Sequence, residues 1–330
     1  MLNPCQNHTL HASVERYALL CALGMIVIDA NYQQQRLDNY LLRELKGVPK
    51  GLIYRLLRKG AIKINGKRVK AEYKLQAGDQ LHLPEIRTSE NTSHTEISDS
   101  LRNHLKDAVL HEDERVIVVN KPAGLAVHGG TGINSGLIEA MRILRPQEKH
   151  LELAHRIDRD TSGCVLIAKK RAVLLQCHEL WRAHQVRKTY HVLVAGQWPK
   201  KITKVDAPLY KHERLSGERH VQVSSKGQEA ATTFQVLQTF QDATLLAAFP
   251  QTGRMHQIRV HCQHAGHPII GDSRYNEKAS NHYFAKRYGI KRLCLHAHKI
   301  ALELDKEWVR AEASYDEAWQ KALERLHETH

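Results

Sequence analysis

The 330-residue sequence is short of aromatic side chains, which make up 6% of it, and short of acids, with 35 Asp and Glu against 49 Lys and Arg. It has no CxxC pair. Cysteines 5, 21, 164, 177, 262 and 294 stand apart, and Cys164 sits inside the apolar run Gly163-Cys164-Val165-Leu166-Ile167. That is the usage of buried thiols in a reducing compartment, and it excludes a disulfide framework or a zinc ribbon. Long hydrophobic runs are missing too. Tyr17 to Ile28 is an apolar stretch of twelve that lacks a cationic flank and is too short to span a bilayer. With a mean hydropathy of −0.48, no membrane partner is expected and a cytoplasmic location is. No GxGxxG, P-loop, HExxH or GxSxG occurs, so a nucleotide cofactor, zinc proteolysis and serine hydrolysis have no support.

What is present is positive charge, and it is local. Between Lys46 and Lys74, ten cations face one acid, Glu72, so 29 residues carry +9 of the chain's net +14. Residues 1–24 read as an extension, and the basic module occupies 25–86. Leu37, Leu41 and Leu45 form an i, i+4, i+8 stripe that predicts a helix over 36–46. Pro49 suits the first turn of a second helix, with Leu52, Ile53, Leu56 and Leu57 on its apolar face and Lys50, Arg55, Arg58 and Lys59 elsewhere. Gly60 reads as its stop. Ile62 and Ile64 alternate into Asn65-Gly66, the preferred pair for a type I′ hairpin, and Lys63, Lys67, Arg68 and Lys70 decorate its strands. Two basic helices followed by a small basic sheet resemble the S4 RNA-binding domain.

Lysine and arginine contacts to phosphate supply affinity with little sequence information. Only Tyr54 and Tyr73 could stack on bases, so recognition of folded RNA by shape and backbone is expected. Residues 87–100, RTSENTSHTEISDS, hold seven Ser or Thr and one large apolar residue, Ile97. They predict a flexible linker, extending over 87–105.

From 106 to 330 the pattern changes to strands with a few helices. Strands are expected at 115–120, 164–168, 189–195, 203–207, 230–237 and 243–249. Helices are expected at 137–144, 171–184 and 255–265, the last stopped by Gly266 and Pro268. This succession indicates an α+β domain with a mixed, largely antiparallel sheet. Into one strand runs His155-Arg156-Ile157-Asp158-Arg159-Asp160-Thr161-Ser162-Gly163, acids set among arginines in front of a tight turn. Spacing alone does not choose between Asp158 and Asp160, nor between a reactive carboxylate and the ion pairs of a surface loop.

The segment resembles the HRLDxxTSG signature of the RluA-type pseudouridine synthases. Three further segments are similar to that family in the same order: Asn120-Lys121-Pro122-Ala123-Gly124, Lys188-Thr189-Tyr190, and Thr252-Gly253-Arg254-Met255-His256-Gln257-Ile258-Arg259-Val260-His261. With the S4-like module in front, the resemblance covers residues 30–320. It implies an isomerase that breaks the C1′–N1 bond of uridine, turns the base and rejoins it through C5, without cofactor or metal.

The resemblance makes Asp158 the catalytic carboxylate. It can add at C1′ or abstract a ribose proton; in either case it must be ionised and unsolvated. Asp160 is then structural. Arg259 is implied as the arginine that pairs with Asp158, a carboxylate onto which a guanidinium can fork. Tyr190 is implied as the ring beneath the uracil and a candidate for handling the C5 proton. Arg156 is implied to support the flipped nucleotide and Arg254 to contact phosphate, while His155 is positional.

His261, His264 and His267 form an evenly spaced trio outside the family pattern, read as RNA contacts or ordinary helix-face histidines. The implied partner is 23S rRNA or a large-subunit assembly intermediate, with no obligate protein partner and a monomer as the default. Two other readings stay open on the residues alone. One is a non-catalytic S4-type RNA-binding or ribosome-assembly protein; the other is a metal-dependent nuclease using Asp158 and Asp160.

Overall fold

The computed structural model describes residues 25–45, 48–84, 97–129, 136–148, 150–213 and 219–328. The chain divides into two compact units, Met1–His94 and Thr95–His330. In the first, β1 (Met25–Val27), α1 (Leu37–Glu44), α2 (Lys50–Lys59), β2 (Lys63–Ile64), β3 (Lys67–Arg68) and β4 (Gln80–His82) follow in order. The strands form a sheet in the order β1-β4-β2-β3. The helical stripes supply its core: Leu37, Leu41 and Leu45 meet Ile53 and Leu57 over Ile62, Ile64, Leu75 and Leu81. Asn65 and Gly66 take φ of 51° and 74°, the paired left-handed conformation that a type I′ turn needs. The extension read over residues 1–24 lies outside the described residues.

The second unit begins with a correction. Its Ser- and Thr-rich approach is expected from composition to run as a linker to residue 105. Residues 85–96 lie outside the described residues, but Ile97 is buried and α3 spans Asp99–Asp107. The Ser98 hydroxyl accepts from the Leu101 backbone N–H at 3.2 Å and caps the helix. Ile97, Leu101 and Leu105 then pack against the core, an i, i+4, i+8 stripe that repays the ordering.

From there β5 (Val109–Glu112), β6 (Val116–Lys121), α4 (Leu137–Leu144), β7 (Glu152–Leu153), β8 (Ser162–Ala168), α5 (Arg171–Arg182) and β9 (Arg187–Ala195) lead into the middle of the domain. β10 (Lys204–Asp206), β11 (Leu209–Glu213), β12 (Arg219–Val223), β13 (Ala231–Thr239), β14 (Ala243–Pro250) and α6 (Gln257–His264) follow. The unit closes with α7 (Lys278–Tyr288), β15 (Leu295–Leu304), β16 (Glu307–Glu312) and α8 (Glu317–Glu328).

The main sheet runs β10-β13-β14-β9-β15-β8-β6-β5, with β16 beside β15 and β7 beside β8. Every pairing in it is antiparallel except β15 with β8, where His296 faces Ser162 and Ala297 faces Gly163. That parallel seam joins two antiparallel halves. All seven residues of β8 are buried because both faces are covered. On one face Ile117, Val119, Val165 and Ile167 meet Leu137, Ile138 and Met141 of α4. On the other, Val116, Val118 and Leu166 meet Val173, Leu174 and Cys177 of α5. The four described cysteines are free and buried, and burial pushes the thiols of Cys164 and Cys177 up to about 12 and about 11. Among the described residues no helix is long and apolar enough to cross a membrane.

Candidate functional site

The site opens beside the seam, where the chain enters β8. Gly163 adopts φ +108°, and a Cβ there would stand 2.3 Å from the Ala297 carbonyl oxygen, so only glycine lets the two halves approach this closely. The preceding loop carries Asp158 and is tied down from three sides. Ile157 is buried in the core, and the Thr161 N–H closes a turn onto the Asp158 carbonyl at 3.2 Å. The Gly124 N–H donates to the Arg159 carbonyl at 2.9 Å.

Beneath the loop lies Lys121, fully buried. Its ammonium donates to the carbonyls of Pro122, Leu125 and Arg159 at 2.8, 2.7 and 2.9 Å. Burial draws its pKa down to about 7, with Asp160 and Asp158 pulling the other way and Arg292 adding to the fall. Sequence reasoning names the Asn120-Lys121-Pro122 segment but not this cage. A lysine ending an apolar strand is its only local signal.

The other wall comes from α6. Arg259 Nη1 donates to Asp158 Oδ2 at 3.1 Å. The fork, however, goes elsewhere: Nε and Nη2 each reach Asp272 at 2.8 Å. Arg259 therefore meets Asp158 by one nitrogen, and the two-pronged geometry goes to Asp272. Asp272 is 1% exposed and needs the bidentate partner, together with the N–H groups of Arg274 and Tyr275 at 2.9 and 3.1 Å. Burial pushes Asp272 up, but the Arg259 guanidinium overrides it and holds the carboxyl below its ordinary range. In return, and against its own burial, Arg259 is raised.

The side chain of Asp158 is 31% exposed, so the expectation of an unsolvated carboxylate does not hold for the open cleft. His256 stands on the same side, its Nε2 3.6 Å from Asp158 Oδ2. His256 beside the carboxylate, Asp272 behind Arg259 and Tyr275 behind His256 are missed by sequence reasoning, because nothing in the spacing ties them to position 158.

Asp158, Arg259, Tyr190, Arg156 and Arg254 line one cleft of about 670 Å³, with Ile157, Trp181, Pro250, Ile258 and Leu295 as apolar wall. That is the size and character of a small-ligand pocket. Tyr190 is half-buried on β9, and burial together with the charge of Asp158 raises its pKa. The phenol therefore stays protonated, which limits its expected part in C5 chemistry to that of a neutral hydroxyl. Arg156 is exposed at the mouth. Arg254 is also exposed, its Nε donating to the Glu229 carbonyl at 3.1 Å.

His155 is spent on structure: its Nε2 accepts from the Leu166 N–H at 3.0 Å and its ring stacks on Trp181. Burial holds its pKa down at about 3. Asp160 pairs with Arg159 at 3.0 Å and does not line the cleft. Among the described residues no group of three or more His, Cys, Asp or Glu could hold a metal ion. In the histidine trio, His261 is buried between the Thr232 hydroxyl and the Ala207 carbonyl at 2.9 and 3.0 Å. His267 Nδ1 meets the Ala195 carbonyl at 3.0 Å, while His264 is exposed. The trio is therefore not one cluster.

In the first unit, Lys50, Arg55, Arg58, Lys59, Lys63, Lys67, Arg68 and Lys70 are all exposed. The end of α2 and β3 are in contact, since Arg68 donates to the Arg58 carbonyl. Tyr54 donates to Asp38 and Tyr73 to Asp79, each at 3.0 Å, so both candidate stacking rings are pinned to their own domain. Asp38 is 2% exposed; the Arg36 guanidinium holds it below the usual carboxylate range.

Residues 115–264 match the family model described as RNA pseudouridylate synthase, and residues 35–81 match the S4 domain. The chain is 48% identical over 311 residues to the ribosomal large subunit pseudouridine synthase C of Pasteurella multocida (strain Pm70), covering 93% of this chain and 95% of that protein. It is 45% identical over 312 residues to the protein of the same name from Escherichia coli (strain K12), covering 92% and 97%. Among solved structures, Human RNA Pseudouridylate Synthase Domain Containing 4 is similar at 27% identity and a TM-score of 0.58, over 69% of this chain and 96% of that one.

Proposed function

The chain belongs to the RNA pseudouridylate synthase family and is an isomerase, and on that footing we propose that it converts several uridines of large-subunit rRNA to pseudouridine with Asp158 as the catalytic carboxylate. The observation that supports this most is the Asp158–Arg259 pair, 3.1 Å apart at the wall of a cleft that also contains Tyr190 and Arg156. The base must leave its stack to enter, at a cost of about a few kcal/mol. Arg156, exposed at the mouth, supports the nucleotide in its turned-out position and Arg254 meets phosphate.

The flipped uridine covers the exposed part of Asp158, supplying the dry surroundings that the free cleft lacks. The carboxylate then adds at C1′ or takes the C2′ proton; either route releases the uracil from C1′ while keeping it in the cleft. The Tyr190 ring holds the released base by its face; as C5 bonds to C1′ the carboxylate leaves C1′, or returns the proton to C2′, and the proton lost from C5 is matched by one gained at N1, so the reaction balances without any co-reactant. The exposed cations of the S4 domain bind rRNA backbone, giving affinity and register without reading sequence.

Purified wild-type protein and Asp158→Asn, incubated with 23S transcript at saturating enzyme, test this. The wild type is expected to form pseudouridine at several sites, and the variant to be slower by at least about 10³-fold, as for loss of a reacting group. Wild-type activity in Asp158→Asn would overturn the assignment of the carboxylate.

A further inference from the structure

The two oxygens of Asp158 are not equivalent. Arg259 Nη1 at 3.1 Å and His256 Nε2 at 3.6 Å both approach Oδ2, and among the described residues Oδ1 accepts no hydrogen bond. His256 is itself held from behind. The Val221 N–H donates to the Tyr275 hydroxyl oxygen at 3.3 Å, and that hydroxyl lies 2.8 Å from His256 Nδ1. Tyr275 is buried, and among the described residues its hydroxyl hydrogen has no other acceptor than His256 Nδ1, so the hydroxyl donates to Nδ1. The proton of the neutral imidazole therefore sits on Nε2, which faces the carboxylate.

Burial keeps the ring neutral: the side chain is 8% exposed and desolvation lowers its pKa to about 4, against the opposing charge of Asp158. The backbone supports the same arrangement. His256 takes φ +54° immediately before α6, a left-handed conformation uncommon for a residue with a Cβ and concentrated at functional sites.

We propose that His256 is a positioning residue whose Nε2–H, fixed in that tautomer by Tyr275, holds Oδ2 of Asp158 together with Arg259 and so presents Oδ1 as the oxygen that reacts with the ribose. This rests on the reading of Asp158 as the catalytic carboxylate. At 3.6 Å the contact is longer than a hydrogen bond; in the open cleft it is a dipole aimed at a charge. Seating of the uridine closes it, as catalytic hydrogen bonds tighten on substrate binding. A neutral donor suits this role, since an imidazolium would neutralise the charge that must react.

The test uses the full-length protein with 23S transcript, reading single-turnover rate at saturating enzyme, RNA affinity and melting temperature. His256→Ala is expected to lose about 10- to 100-fold in rate, the order for a misplaced reacting group, with RNA affinity unchanged. His256→Gln places an amide N–H near the position of Nε2 and is expected to recover most of that loss, whereas His256→Asn, whose amide ends near the position of Nδ1, is not. A purely structural role predicts the reverse order, because Asn adopts the left-handed conformation more readily than Gln.

Tyr275→Phe is expected to slow the wild type a few-fold and to add nothing in the His256→Gln background. A wild-type rate in His256→Ala, or recovery by Asn equal to that by Gln, overturns the proposal. Because Gln and Asn are compared with each other, the test survives a poorly folding alanine variant. Asp158→Asn run alongside separates the two failures: if it keeps activity, the reading of Asp158 falls, and if it is dead while His256→Ala is normal, only the role of His256 falls.

Discussion

A single lysine fixes the reacting loop. Lys121 spends all three of its N–H donors on carbonyls, one of which belongs to Arg159, the neighbour of Asp158. Lys121→Met keeps the length of the side chain but leaves the Pro122 and Leu125 carbonyls without this donor, while the Arg159 carbonyl keeps the Gly124 N–H. Since each unsatisfied buried group costs about 1–3 kcal/mol, the variant is expected to lose about 2 kcal/mol or more in urea unfolding and most of its single-turnover rate. Wild-type stability in that variant would show that the carbonyls find other donors. At the same scale lies the limit of what spacing conveys. Only the family resemblance links Asp158 with Arg259, and the recipient of the Arg259 fork is Asp272. Nothing local marks it, because its partner is brought in by the path of α6 rather than by sequence proximity.

Among elements, α4 and the Asn65-Gly66 hairpin are fully legible, since an amphipathic period or a left-handed pair decides them within a few residues. α3 is not, because the surrounding Ser and Thr hide a three-residue stripe whose burial depends on a surface formed elsewhere in the chain. The β5–β6 hairpin shows a further device of this scale. Asp113 accepts from the backbone N–H groups of Arg115 and Val116, each at 2.7 Å, and from the Arg115 guanidinium at 2.9 and 3.1 Å. Arg115 in turn donates to the Leu304 carbonyl at the end of β15 at 3.0 Å.

Burial pushes Asp113 up, but these donors override it and bring its pKa down to about 2. A carboxyl lowered in the folded state stabilises the fold above its ordinary pKa, and the contribution disappears as pH falls through the lowered value. The shift corresponds to about 2 kcal/mol. Urea unfolding of Asp113→Asn is therefore expected to show a deficit of that order at pH 7 that narrows as pH falls from about 4 toward 2. A deficit independent of pH would assign the effect to lost hydrogen-bond geometry instead.

For the whole molecule, charge is concentrated in one place, with ten exposed cations among the described residues of the S4 domain. Replacing Lys63, Lys67 and Lys70 with Gln is expected to lower the slope of log affinity against log salt by about 2, if each meets a phosphate. It should weaken binding more than it slows the chemical step at saturating enzyme. An unchanged slope would move the RNA-binding surface off β2, β3 and the residues just after β3.

The seam between β8 and β15 has a consequence for how the enzyme comes into being. The loop bearing Asp158 leads into one antiparallel half, and Arg259 arrives after β14, in the other. The carboxylate and the guanidinium, 101 positions apart, become neighbours only when the register of His296 with Ser162 closes. Such distant closures carry the largest loop entropy and come late in folding. Partly folded or nascent chains can thus build either half of the sheet, and still bind RNA through the S4 domain, while remaining chemically silent. Chemical competence is switched on by completion of the fold itself.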